Sequence, residues 1–195
     1  MVLIALAAFG YLFVRSARDA RSEPYDIAGA HLSGWTLGVD AAPNGDGAAI
    51  SLRPPAELPL SLFRQLFSRQ MESLAAPATA GIALVLQREL VPGVTANELL
   101  GFAQQAAIER ARPVPRCVGY RRVSAKGVTR QLYFIWFSLP EFDQFRRLVA
   151  PRADASYRYG ALSPVMLMAA EPDFAGWHPV VVDEARDCVA PVTVR

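Results

Sequence analysis

The chain has little lysine, histidine or cysteine. Its 195 residues contain a single lysine, Lys126, against 19 arginines, with two histidines and two cysteines. Charged residues make up only 19% of it, where about 25% is usual. Each scarcity weakens a class of function. A zinc site would need His31 and His178 both to meet Cys117, Cys188 or a carboxylate from remote positions, so metal binding is not expected. Cys117 and Cys188 form no CxxC pair; they fit either two buried thiols or one disulfide, and the sequence alone leaves the redox compartment open. The phosphate-cradling patterns GxxxxGK[ST] and GxGxxG and the nucleophile elbow GxSxG are all missing. Gly45-Asp46-Gly47 reads as a hairpin turn. The acid clusters, Glu141 with Asp143 and Asp183 with Glu184 and Asp187, sit beside helix starts or turns, where capping accounts for them. On these grounds the expectation is a protein that is not an enzyme, with no catalytic residue, no cofactor and no metal.

What the chain does have is apolar material. Hydrophobic residues reach 52% and mean hydropathy is +0.20. Part of the surplus is one run of 13 uncharged residues, Val2 to Val14, followed at once by Arg15, Arg18 and Arg21. Within it Val2, Leu3, Ile4, Leu6, Phe9, Tyr11, Leu12, Phe13 and Val14 give the texture of a membrane helix, with aromatics near one end where an interfacial belt falls. A cleaved signal fits poorly, because no basic residue precedes the run and an arginine occupies the candidate cleavage triplets Ser16-Ala17-Arg18 and Arg18-Asp19-Ala20. A signal sequence with a different start, or a soluble core helix, are the alternatives. As an anchor the run is short, since 14 residues rise about 21 Å against a hydrocarbon thickness of about 30 Å. Neighbouring membrane helices relieve such a mismatch. The arginines that follow it predict a globular domain in the cytoplasm, or in the periplasm if Cys117 and Cys188 are bonded.

Three regions are expected: an anchor over 1–14, a juxtamembrane linker over 15–31 and a single globular domain over 32–195. Alternation through Trp35, Leu37 and Val39, then Ile50 and Leu52, predicts a hairpin. Phe63, Leu66, Phe67, Met71 and Leu74 recur at helical spacing over 60–74, and the run 81–86 reads as a buried strand. Thr95 and Glu98 form a capping-box pattern opening a helix to about Arg110, with Leu99, Phe102, Ala103 and Ala106 inward. A second hairpin is expected over 116–138. Its second arm has Leu132, Phe134 and Trp136 on one face and Tyr133, Ile135 and Phe137 on the other, so it belongs inside a sheet covered on both sides. Ser138 reads as the N-cap of a helix through FDQFRRLV, Pro164 as the mark of an edge or bulge in a strand over 161–170, and the tail as one or two short strands. The order predicts an α+β fold, a mainly antiparallel sheet with about three packed helices, preceded by one N-terminal transmembrane helix.

The strongest charge feature is basic. Arg110, Arg112, Arg116, Arg121, Arg122, Lys126 and Arg130 face a single acid, Glu109, within 109–130, which leaves the rest of the chain at −4 against a total of +2. This basic interaction surface suits anionic lipid headgroups or an acidic protein face. Nucleic acid is not expected, because the nearby aromatics fall in a strand that reads as buried. Taken together, these features suggest a single-pass accessory or structural subunit of the bacterial inner membrane. It would help assemble or stabilise a larger membrane protein complex, such as a respiratory or photosynthetic one, with other membrane subunits as partners. The alternatives are an envelope enzyme of hydrolase type built around His178 and an acid, and a periplasmic binding or lipid-handling module.

Overall fold

The computed structural model describes residues 22–39, 47–70, 73–125, 128–155, 157, 160, 162–171 and 180–195. The apolar run Val2 to Val14, Lys126 and His178 lie outside the described residues. The described chain is α+β, with eight strands and four helices. In chain order they are β1 (Tyr25–Ile27), β2 (Thr36–Val39), β3 (Ala48–Arg53), α1 (Glu57–Arg69), β4 (Ile82–Leu86), α2 (Ala96–Gln105), β5 (Val114–Ala125), β6 (Val128–Ser138), α3 (Pro140–Val149), β7 (Val165–Ala170), α4 (Glu184–Asp187) and β8 (Cys188–Val194). The strands form one sheet in the order β1-β8-β5-β6-β7-β4-β3-β2. Every neighbouring pair is antiparallel except β1 with β8.

The long hairpin β5–β6 is the spine, in register from Val114 opposite Ser138 to Ala125 opposite Val128 with one shift near Pro115. Strand β6 lies inside the sheet between β5 and β7, as its two apolar faces require. Tyr133, Ile135 and Phe137 join the main core, packed with Leu58, Leu62 and Leu66 of α1, Leu99 and Ala103 of α2, and Phe142, Phe145 and Val149 of α3. Leu132 and Phe134 face the other way and are buried with Ala170 and Val180. The ring of Phe134 lies over Gly119 of β5, where a Cβ would overlap it, so that contact requires glycine.

Several local expectations are corrected. Tyr25–Ile27 falls in the expected linker, yet it is a strand whose Tyr25 and Ile27 side chains are buried. The first helix spans 57–69 and buries Leu58, Leu62 and Leu66, so Phe67 and Leu66, read as one apolar face, point in different directions. The second helix ends at Gln105; Ala107 then takes a left-handed conformation and 108–110 form a separate 3-10 turn. Ser138 stays in β6, and Pro140 starts α3 with no side-chain cap. Pro164 precedes β7, which is an interior strand, and the register shift lies across the ladder near Tyr133 and Phe134. The Thr95–Glu98 box forms as drawn: the Glu98 N–H donates to Thr95 Oγ1 at 3.3 Å, and the Thr95 N–H donates to Glu98 Oε2 at 3.0 Å.

One buried ion pair ties three elements together. Arg146 of α3 is 1% exposed and makes a two-pronged contact with Glu89, Nη1 to Oε2 at 2.8 Å and Nη2 to Oε1 at 2.9 Å. Glu89 Oε2 also accepts the Leu86 N–H at 2.8 Å, so the carboxylate caps the turn leaving β4. The Tyr157 ring packs 4.3 Å from the guanidinium and its hydroxyl donates to the Arg146 carbonyl at 2.6 Å. Glu89→Ala leaves Arg146 buried without this partner and is expected to destabilise the fold by about 3–5 kcal/mol, read as a lowered midpoint in urea.

Cys117 of β5 and Cys188 of β8 are disulfide-bonded, with Cα atoms 5.7 Å apart. The bond closes a loop across a separation of 71 residues, long enough for a stabilisation of about 4 kcal/mol on chain entropy alone. The Cys117→Ser/Cys188→Ser variant should melt roughly 8–16 °C lower than the oxidised protein, and reduction should slow the wild-type band on a denaturing gel.

Candidate functional site

Among the described residues no group of three or more His, Cys, Asp or Glu side chains converges as a metal site would require. His31 sits half-buried in the 3-10 turn Gly29–Leu32. Both cysteines are consumed by the disulfide. Glu141 and Asp143 occupy the first turn of α3, where they complement the helix dipole. Asp183 accepts from the Ala185 and Arg186 N–H groups at 3.1 and 3.3 Å and so caps α4.

The basic residues do not gather on one surface. Arg110 and Arg112 are exposed and line an open cleft of about 930 Å³ with Trp35, Glu109, Val114 and Val194. Strand β5 carries Arg116, Arg121 and Arg122, and β6 carries Arg130. The Arg116 guanidinium lies 6.0 Å from the Trp136 ring. Arg121 and Arg130 emerge on the face away from the three long helices, where Arg121 pairs with Asp187 and Arg130 with Glu171. Arg122 donates from Nε to the Tyr120 hydroxyl at 2.9 Å. At about 3.3 Å per residue, Arg122 lies about 26 Å along β5 from Val114, which lines the cleft. Among the described members of this surplus, Arg110, Arg112, Arg116 and Arg122 are exposed while Arg121 and Arg130 are half-buried and ion-paired, so the charge is spread from the cleft along the hairpin.

Asp187 organises the layer on the second face. It is 3% exposed, and it accepts from Arg121 Nη2, from Arg186 Nε and Nη2 at 2.9 and 3.0 Å, and from the Asp183 N–H at 2.9 Å. Arg121 also donates to the Val181 carbonyl at 2.7 Å, and Ser163 Oγ accepts the Val182 N–H at 2.9 Å. These bonds lay residues 180–187 across β5, β6 and β7. The Arg186 hydrogen bonds, aided by the Asp183 amide and Arg121, outweigh burial and hold the Asp187 carboxyl well below the usual carboxylate range.

The point where the described chain begins is also firmly held. Arg69, the last residue of α1, donates from Nη1 to the Glu23 carbonyl at 2.7 Å and from Nη2 to the Pro24 carbonyl at 3.0 Å. Its guanidinium stacks 4.2 Å from the Tyr25 ring, whose hydroxyl is shifted upward by burial against the opposing pull of Arg69. One helical turn earlier, Gln65 Oε1 accepts the Asp26 N–H at 2.9 Å while its Nε2 donates to the Asp26 carbonyl at 2.8 Å. The Gln65 amide thus occupies the outer edge of β1 as a neighbouring strand would. Opposite its buried face, α1 presents Leu60 and Phe67, 48% and 58% exposed, with Phe63 between them and its ring 5.9 Å from that of Phe67. The signal for this second apolar face was in the sequence: α1 carries large apolar residues both at 58, 62 and 66 and at 60, 63 and 67.

No family model, curated protein or solved structure matches the chain.

Because the folded-state pKa of Asp187 is lowered, its stabilisation is complete above the ordinary aspartate value of about 3.9 and is lost as the pH falls further. Asp187→Asn should be less stable than the wild type by about 2–3 kcal/mol at pH 7. The difference should narrow below about pH 4, as followed by denaturant unfolding across that range.

Proposed function

We propose that this protein is a non-catalytic accessory subunit, anchored by Val2 to Val14, that helps assemble or stabilise a larger membrane protein complex. The observation that carries the reading is the joint between anchor and domain. Only seven residues separate Val14 from Ser22, and the next residues, Glu23 and Pro24, are clamped by Arg69. So short a link spans at most about 28 Å, which keeps the domain at the membrane surface rather than on a long tether.

We assign the domain to the oxidising, periplasmic side. The Cys117–Cys188 bond supports this, because disulfides persist in oxidising compartments. Arg15, Arg18 and Arg21 favour the opposite orientation. Their bias is a preference during insertion, whereas a structural disulfide depends on its compartment throughout the life of the protein. The cleft bearing Arg110, Arg112 and Trp35 favours a second reading, a periplasmic module that binds an anionic ligand.

Two measurements separate these outcomes. Purified in mild detergent from its native membrane, the full chain should elute with a larger membrane assembly, and protease added to spheroplasts should degrade the domain. A monodisperse monomer with no co-purifying membrane protein overturns the accessory reading, and a protected domain overturns the orientation. In the second reading, the monomer binds an anionic ligand and Arg110→Glu/Arg112→Glu abolishes that binding.

A further inference from the structure

We infer that the outer face of α1 is a membrane-contact surface, on which Leu60, Phe63 and Phe67 enter the interfacial layer of an anionic bilayer. This rests on the anchored reading above and adds to it the face of the domain that meets the lipid. Leu58, Leu62 and Leu66 face the core and Phe63 packs half-buried at its margin, so Leu60 and Phe67 add exposed apolar surface beyond what the core uses. The stripe continues into an open groove of about 390 Å³ beside Pro59 and Leu60, walled by Pro77 and Ala78. Aromatic and aliphatic side chains on one side of a surface helix, with arginines at its margin, are the composition that partitions into a headgroup layer. Arg64 is exposed one turn from Leu60 and Phe67, and Arg53 lines the groove. Both complement anionic headgroups.

The occupant is indicated by where the chain comes from. Arg69 at the C-terminal end of α1 holds Glu23 and Pro24, two residues after Phe67, so the segment leading from Val14 arrives at this end of this helix. With Val14 in the bilayer, the link of at most about 28 Å places Phe67 among the surface residues of α1 nearest the lipid. The opposite face of the sheet, covered by residues 180–187, is turned away.

The test uses the full chain in bacterial membranes, with the photocrosslinker p-benzoylphenylalanine replacing Phe67 or, as a control on the far face, the exposed Val181. Carbonate washing shows whether the chain is integral. The expected result is an integral chain with a lipid adduct at 67, detected by mass, and loss of that adduct when the probe is at 181. An integral chain whose position 67 yields only a protein adduct, no adduct, or lipid no more than position 181 overturns the inference and leaves the anchored reading standing. A chain released by carbonate, or one whose position 67 crosslinks to its own residues 2–14, overturns both.

Discussion

Strand β6 carries six consecutive large apolar side chains, Leu132 to Phe137, and both of its faces must be shielded from water. Burying one such side chain contributes about 1.5–3 kcal/mol, so exposing either face would remove a sum comparable to the whole stability of a domain. The helical layer answers this on one side with α1, α2 and α3. On the other side no long helix does so among the described residues. Among the described residues the cover there includes the stretch 180–187, with Val180 and Val182 as part of its apolar contribution. So thin a layer needs fastening, and the fastenings are polar or covalent: Asp187 with Arg121 and Arg186, Ser163 with Val182, and the disulfide at the start of β8.

The buried Glu89–Arg146 pair does similar work in the helical layer. It fixes α3 to the exit of β4, and the adjoining backbone follows, with the Val91 N–H donating to the Arg152 carbonyl and the Asp154 N–H to the Glu89 carbonyl. Arg152 in turn reaches Glu98 at 2.5 Å, so the capping residue of α2 joins the same network. A pair of this kind leaves no local sign in the sequence, because its members are 57 positions apart and each looks like an ordinary surface charge.

That contrast marks how much could be read in advance. Elements specified by neighbours along the chain were legible: the β5–β6 hairpin, the apolar strand β4, the Thr95–Glu98 box and the inward Leu99 and Ala103 of α2. Elements specified across the fold were not. Strand β1 has three residues between Pro24 and Gly29, and only its pairing with β8 makes it a strand. The two faces of α1 were merged because apolar residues on both sides of a helix blur its periodicity, and the sheet alone decides which stripe is covered. The basic cluster looked coherent as a sequence because alternation along β5 and the acids Asp187 and Glu171, both remote in sequence, divide it only in three dimensions.

The pairing of β1 with β8 brings Tyr25 opposite Val192 and Ile27 opposite Val194, so β1 is completed by residues far along the sequence from it. Strand β8 serves two neighbours in succession, residues 188–191 beside β5 and 192–194 beside β1. During synthesis or translocation the Tyr25 segment therefore waits, with its inner edge open, until residues 192–194 have emerged. Contacts of such long sequence separation form slowly and leave unfinished edges exposed in the meantime. Gln65 already occupies the outer edge of that strand. The nascent domain is thus guarded on the side where another chain could add, while the side reserved for β8 stays available.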